Sequence, residues 1–176
     1  MIDDQIIVLK STPLFEKDII IECFSREQGR ISVFAKYAQV KNGRFGGLLQ
    51  TMNHLDVNLR KYGQSLYLNK ATLIVGFTKV KQSYKKMSLI FFLFSVLKSM
   101  TQMHQVNESL FDLYTDIMHQ VNDNDDDLLD QIKIHSYKLI LLNEGIATDD
   151  QVQHLTERMF VNMIESYTNT QLKGVL

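Results

Sequence analysis

In the run Arg30-Ile31-Ser32-Val33-Phe34-Ala35-Lys36, a two-residue period puts Ile31, Val33 and Ala35 on one side and Arg30, Ser32, Phe34 and Lys36 on the other. A phenyl ring between cations on an outward face is unusual for a merely solvated surface. Flat rings stack on bases and cations track phosphates, and barrels that hold single strands without reading sequence use that pairing. The same alternation puts Phe24 on the side of Arg26, and Tyr67 opposite Leu66 and Leu68. Downstream of the strand, Lys41 and Arg44 extend the cations and are interleaved with Tyr37 and Phe45. The candidate contacts are therefore Arg26, Arg30, Phe34, Lys36, Tyr37, Lys41, Arg44, Phe45 and Tyr67. The competing reading is that Phe24 and Phe34 pack beneath the helical half of the chain, as an outer barrel face can.

Residue sets for bond-making chemistry do not assemble. The chain has no Gly-Lys-Ser/Thr phosphate loop, no Gly-x-Ser-x-Gly elbow and no His-Glu-x-x-His helix. Lys41-Asn42-Gly43-Arg44-Phe45-Gly46-Gly47 is glycine-rich but lacks the lysine and hydroxyl pair that would hold a triphosphate and its magnesium. Asp123, Asp125 and Asp127 match the first positions of a calcium loop, but Leu128 stands where glycine is needed and Ile134 where the closing glutamate belongs. Those carboxylates read instead as a solvated loop leading into a helix N-terminus, where the helix dipole favours them. The five histidines show no i, i+4 pair, so no metal or other cofactor is expected. Cys23 is the single cysteine and lies in an apolar alternating run, which suits an inert core thiol.

Two kinds of periodicity divide the chain. Up to about Val80 the β-branched and aromatic residues alternate, predicting strands near Gln5–Lys10, Asp18–Arg26, Arg30–Tyr37, Thr51–Lys61 and Ser65–Phe77. Glu27-Gln28-Gly29 and Tyr62-Gly63-Gln64 supply tight turns, and Pro13 falls in the first connection. Five strands in so short a span suit a small closed barrel of the oligonucleotide-binding (OB) type. Beyond Val80 the period becomes helical, predicting helices over Tyr84–Met103, Asn107–Val121, Asp126–Glu144 ended by Gly145, and one opened by Thr148 and Gln151 that runs to about Tyr167. The expected architecture is α+β, with a barrel domain over residues 1–80 and a helical domain over residues 81–176.

The net charge of −1 conceals an uneven distribution. Residues 1–86 carry 14 Lys and Arg against 7 Asp and Glu, and the remainder carries 5 against 13, so the halves stand near +7 and −8. A basic half suits a polyanion, and an acidic half suits a protein-facing or solvated surface. No basic, apolar leader opens the sequence, and the run Met87–Leu97 is too short to span a bilayer, so a cytoplasmic protein without membrane contact is expected.

Several segments resemble the RecO family of DNA repair proteins. Arg44-Phe45-Gly46-Gly47-Leu48-Leu49-Gln50 resembles the end of the family's long barrel loop. Phe24-Ser25-Arg26-Glu27-Gln28-Gly29-Arg30 resembles its first hairpin, and Ala35-Lys36-Tyr37-Ala38 the basic segment before the loop. Ile7-Val8-Leu9 with Glu16-Lys17-Asp18 resembles its opening, and Leu66-Tyr67 through Ala71 to Phe77 its last barrel strand. The likeness implies a non-catalytic mediator that binds single- and double-stranded DNA and anneals complementary strands. With RecR it would help load RecA onto strands coated by single-stranded-DNA-binding protein, so the RecA filament is an indirect partner. Lys36 and Arg44 match basic family positions. Many members carry a four-cysteine zinc module that this chain cannot have, and the chain is shorter than most. The likeness also implies capture of the coating protein's acidic tail, which this acidic half should repel except near Lys98, Lys133, Lys138 or Arg158. The alternative from another class is an assembly adaptor whose barrel binds polypeptide.

Overall fold

The structure, a computed structural model, describes residues 1–39, 45 and 47–172. It divides into two compact units, one comprising Met1–Gly76 with Met103–Phe111, the other Phe77–Gln102 with the chain from Asp112 onward.

In the first unit, β1 (Ile2–Leu14), β2 (Asp18–Ser25), β3 (Gly29–Ala35), β4 (His54–Tyr62) and β5 (Ser65–Val75) close a barrel in the order β1-β2-β3-β5-β4. Neighbouring strands are antiparallel except β3 and β5, which run parallel where Val33 faces Leu66 and Phe34 faces Tyr67. This is the five-stranded OB fold. Alternation supplies the core: Ile6, Val8, Ile21, Cys23, Ile31, Val33, Leu55, Val57, Leu59, Leu66 and Leu68 all point inward and are buried.

β1 is longer than its sequence pattern suggested, because Pro13, expected in a connection, lies inside it opposite Ile19. The pairing of β1 with β4 covers only Ile2 to Ile7, so beyond that point one side of β1 is an edge, where a residue without an N–H is tolerated. The register of β1 with β2 shifts by a bulge between Val8 and Lys10, just past the last residue paired with β4.

The outer barrel face is covered in one place. Ile7 pairs with both Phe24 and His54, and Phe111 sits over this patch, 5.7 Å from the Phe24 ring and 5.8 Å from that of His54. Phe24 is therefore fully buried, and the reading of it as a core ring holds. The turn between β2 and β3 is fixed from beneath. Ser25, fully buried, donates its hydroxyl to Asp4 and accepts the Gln28 N–H at 2.8 Å, while Asp4 also takes the Gln5 N–H at 2.7 Å.

The Cys23 thiol is sealed inside this barrel and donates weakly to the Ile31 carbonyl at 3.7 Å. Burial pushes its pKa far up, and the nearby carboxylates of Asp4 and Glu22 push the same way. Because the thiolate is the reactive form, a thiol reagent at pH 8 should label native protein no faster than the barrel opens, and denatured protein at once. Rapid native labelling, followed by mass spectrometry, would show that the site is accessible.

The second unit contains α1 (Thr78–Gln82), α2 (Tyr84–Met100), most of α3 (Glu108–Asp123), a 3-10 turn over Asp126–Leu128, α4 (Leu129–Asn143), α5 (Asp149–Val152) and α6 (Glu157–Thr168). Helix α2 buries Leu89, Ile90, Phe92, Leu93, Phe94, Val96 and Leu97, as its continuous apolar pattern requires. Its buried Lys86 is satisfied by the Asn124 carbonyl at 2.6 Å and by Asp126 at 3.7 Å. Tyr137 and Phe160 stack at 4.1 Å with nearly parallel rings, and Phe92 meets both edge-on. Gly145 ends α4 with φ of 63°, in the left-handed conformation expected of it. The single helix expected from Thr148 to Tyr167 is instead two. Thr148 and Gln151 do form a capping box, but Thr156 starts a new helix by accepting the Met159 N–H at 3.3 Å. Among the described residues, no helix is long and apolar enough to cross a membrane.

Candidate nucleic-acid interface

The barrel closure creates a row of side chains that no local pattern contains. Phe34 on β3 faces Tyr67 on β5, and Tyr67 in turn faces Arg60 on β4. Since all three project outward, a ring, a second ring and a guanidinium stand side by side on adjacent strands. The Phe34 and Tyr67 rings stack at 5.4 Å with 29° between their planes, and Tyr62 meets Tyr67 edge-on at 5.6 Å. Lys36 lies one step beyond the end of β3 and carries its ammonium over the Tyr67 ring, 5.3 Å from the centroid. Together with Leu68 and Asn69 they line a groove of about 380 Å³ with no carboxylate in its wall.

Charge pairing separates the sequence candidates. Among the described residues, neither Lys36 nor Arg60 is paired with a carboxylate, which leaves both cations available to an incoming anion. Arg30 is largely buried and holds Glu22 at 3.9 Å, and Arg26 lies 4.0 Å from Glu108. Neither arginine lines the groove. Phe45 must be corrected: only 4 % exposed, it fills the barrel core beside Leu49 and offers no ring face to a base. Its glycine-rich surroundings carry no alternation from which inside and outside could be read. Lys41 and Arg44 lie outside the described residues. Tyr37 is exposed and does not line this groove itself but stands with Phe15, Lys17 and Lys36 on an adjoining surface. Arg60 and Tyr62 were missed, although Arg60-Lys61-Tyr62 before the Gly63 turn repeats the alternation of cation and ring seen in β3.

The four cations considered for an acidic tail do not share a site. Lys133 lines a cleft of about 310 Å³ with Tyr84, Phe92, Tyr137 and Glu157, and is held by Glu157 at 3.1 Å and Asp130 at 3.3 Å. Burial pulls its pKa down, yet the bonds to Glu157 and Asp130 outweigh this and leave it raised, so its charge is both secure and already matched. Lys138 donates to the Gln153 carbonyl at 3.1 Å and borders a separate shallow surface with Ile134 and His135. Lys98 is half-buried and Arg158 exposed, and neither lines either surface.

Comparison with known proteins agrees with the barrel geometry. The family described as "Recombination protein O N terminal" matches residues 1–77. Similar curated proteins, each described as "DNA repair protein RecO", come from Anaeromyxobacter dehalogenans (26 % identical over 109 residues, 61 % of this chain and 43 % of that protein) and Myxococcus xanthus (25 % over 112 residues, 63 % and 46 %). A third, from Maridesulfovibrio salexigens, is 24 % identical over 126 residues, 70 % of this chain and 51 % of that protein. The chain thus spans about half the length of the curated relatives it matches. Through its N-terminal barrel, the chain is similar to the RecO family of DNA repair proteins.

Proposed function

We propose that the barrel binds DNA through the groove of Phe34, Tyr67, Tyr62, Lys36 and Arg60, and that the chain acts in DNA repair as a non-catalytic mediator. The observation that carries this reading is the row of stacked rings flanked by two cations without a carboxylate partner among the described residues, in a groove that no described carboxylate lines. Such a face neutralises phosphates and stacks bases without reading their edges, so it serves strands of any sequence. A protein that holds two strands in this way brings complements together, which suits annealing and, with RecR, the loading of RecA onto strands coated by single-stranded-DNA-binding protein. Both single- and double-stranded DNA are ligands in this reading, and the cytoplasm is where such a protein would work. The names of the curated relatives, all DNA repair proteins, support the assignment.

The test is Phe34→Ala in the full chain, followed by oligonucleotide titration and circular-dichroism melting. Phe34 is half-buried and its principal contact is Tyr67, so the variant should stay folded. It should lose about 1–3 kcal/mol of single-strand affinity with little change in salt dependence, because stacking is removed and charge is not. Unchanged oligonucleotide binding by a folded variant would refute the groove. A parent protein that binds polypeptide and no oligonucleotide would make the barrel an assembly adaptor instead.

A further inference from the structure

Two aromatic residues of the barrel unit combine exposure with backbone strain. Phe15, in the turn between β1 and β2, is 86 % exposed with φ of 54°, and Tyr37, just after β3, is 62 % exposed with φ of 56°. Left-handed backbone is costly for a residue with a bulky side chain, and strain of this kind persists only where surrounding structure imposes it. Here the two turns are tied to each other. The Tyr37 N–H donates to the Asp18 carboxylate at 2.8 Å and the Gln39 N–H to the Lys17 carbonyl at 3.0 Å, while the Gln39 side-chain amide donates to the carbonyls of Phe15, at 3.2 Å, and Asp18. A rigid frame thus holds two rings out into water, where they gain nothing from the hydrophobic effect.

We propose that Phe15 and Tyr37 form a second stacking platform for unpaired bases, continuous through Lys36 with the Phe34–Tyr67 groove, and that the barrel therefore prefers single strands to duplex. The proposal rests on the reading of that groove as a DNA site. Lys36 lines both surfaces, so a phosphate held there has rings on either side of it. The platform's own wall contains Glu16 and Asp18 as well as Lys17 and Lys36. Its charges nearly cancel, and what it offers a nucleic acid is ring surface. A duplex keeps its base faces stacked on one another, whereas a single strand can turn them toward the protein.

The experiment uses the full chain and three fluorescent ligands of equal length: an oligothymidylate, an abasic strand and a blunt duplex. The variants are Phe15→Gly and Tyr37→Gly, because glycine adopts positive φ freely and keeps the turns intact. The parent should bind oligothymidylate about 5- to 100-fold more tightly than the abasic strand. Each variant should lose about fivefold or more on oligothymidylate while keeping its abasic-strand affinity and salt dependence and melting no lower than the parent. Variants that bind oligothymidylate like the parent, or that lose both strands in parallel, would overturn the platform. If at the same time Lys36→Glu still weakens binding about tenfold, the groove stands and only the platform falls. A parent that binds none of the three ligands overturns both.

Discussion

Replacing Lys36 and Arg60 together by Glu will weaken single-strand binding on the order of 100-fold at low salt, as expected when two charge-assisted phosphate contacts of about 1.5 kcal/mol each are lost. Barrel closure sets Arg60 beside Tyr67 and lets Lys36 reach over the same ring. Among the described residues neither cation has a carboxylate partner, so each is available to neutralise a phosphate and release the counterion condensed on it. Each lost contact should reduce the slope of log affinity against log salt by about 0.7, so the double variant should be shallower by about 1.4. The loss should be the same for every base sequence, since no base edge is read. Arg30→Gln provides the contrast: its guanidinium is largely buried and occupied by Glu22, so the salt slope should stay that of the parent. A folded double variant with unaltered affinity and slope would remove this face from consideration.

How far the sequence leads depends on whether a property is local. Alternation in 30–36 correctly separates inward Ile31, Val33 and Ala35 from outward Phe34, because a strand's two faces are a matter of neighbouring residues. That Phe34 meets Tyr67, and Tyr67 meets Arg60, depends on the parallel seam between β3 and β5, and no period reports which outward residues closure will bring together. Phe45 shows the opposite failure. It lies among cations and glycines, which suggested a surface ring, but with Leu49 it packs into the barrel core, a long-range contact that local pattern does not report. Pro13 suggested a strand end because proline breaks ladders, and only the pairing of β1 shows that one of its sides is an edge there. Phe24 was undecided between base and core until Met103–Phe111 placed Phe111 against it.

The same segment presses on Gly29, and Gly29→Ala should destabilise the barrel unit by about 3 kcal/mol or more. Gly29 ends the turn before β3 with φ of 68°, where an alanine pays about 1–2 kcal/mol for left-handed backbone. The greater part comes from contact. A β-carbon at this position would stand 2.1 Å from the Gln105 carbonyl oxygen and 2.4 Å from its carbon, and a backbone carbonyl cannot swing aside as a flexible side chain can. Relief requires residues 103–106 to move, although the His104 N–H donates to the Arg30 carbonyl at 2.9 Å and Met103 bridges Arg30. Moving them also loosens the cover that Phe111 gives to Phe24 and His54. The melting temperature should fall by about 6–12 °C. Gly63→Ala separates clash from strain, since Gly63 has φ of 59° but open space around it, and should cost only the left-handed penalty, about 2–8 °C. Equal losses at the two glycines would mean that the segment does not press on the turn as described.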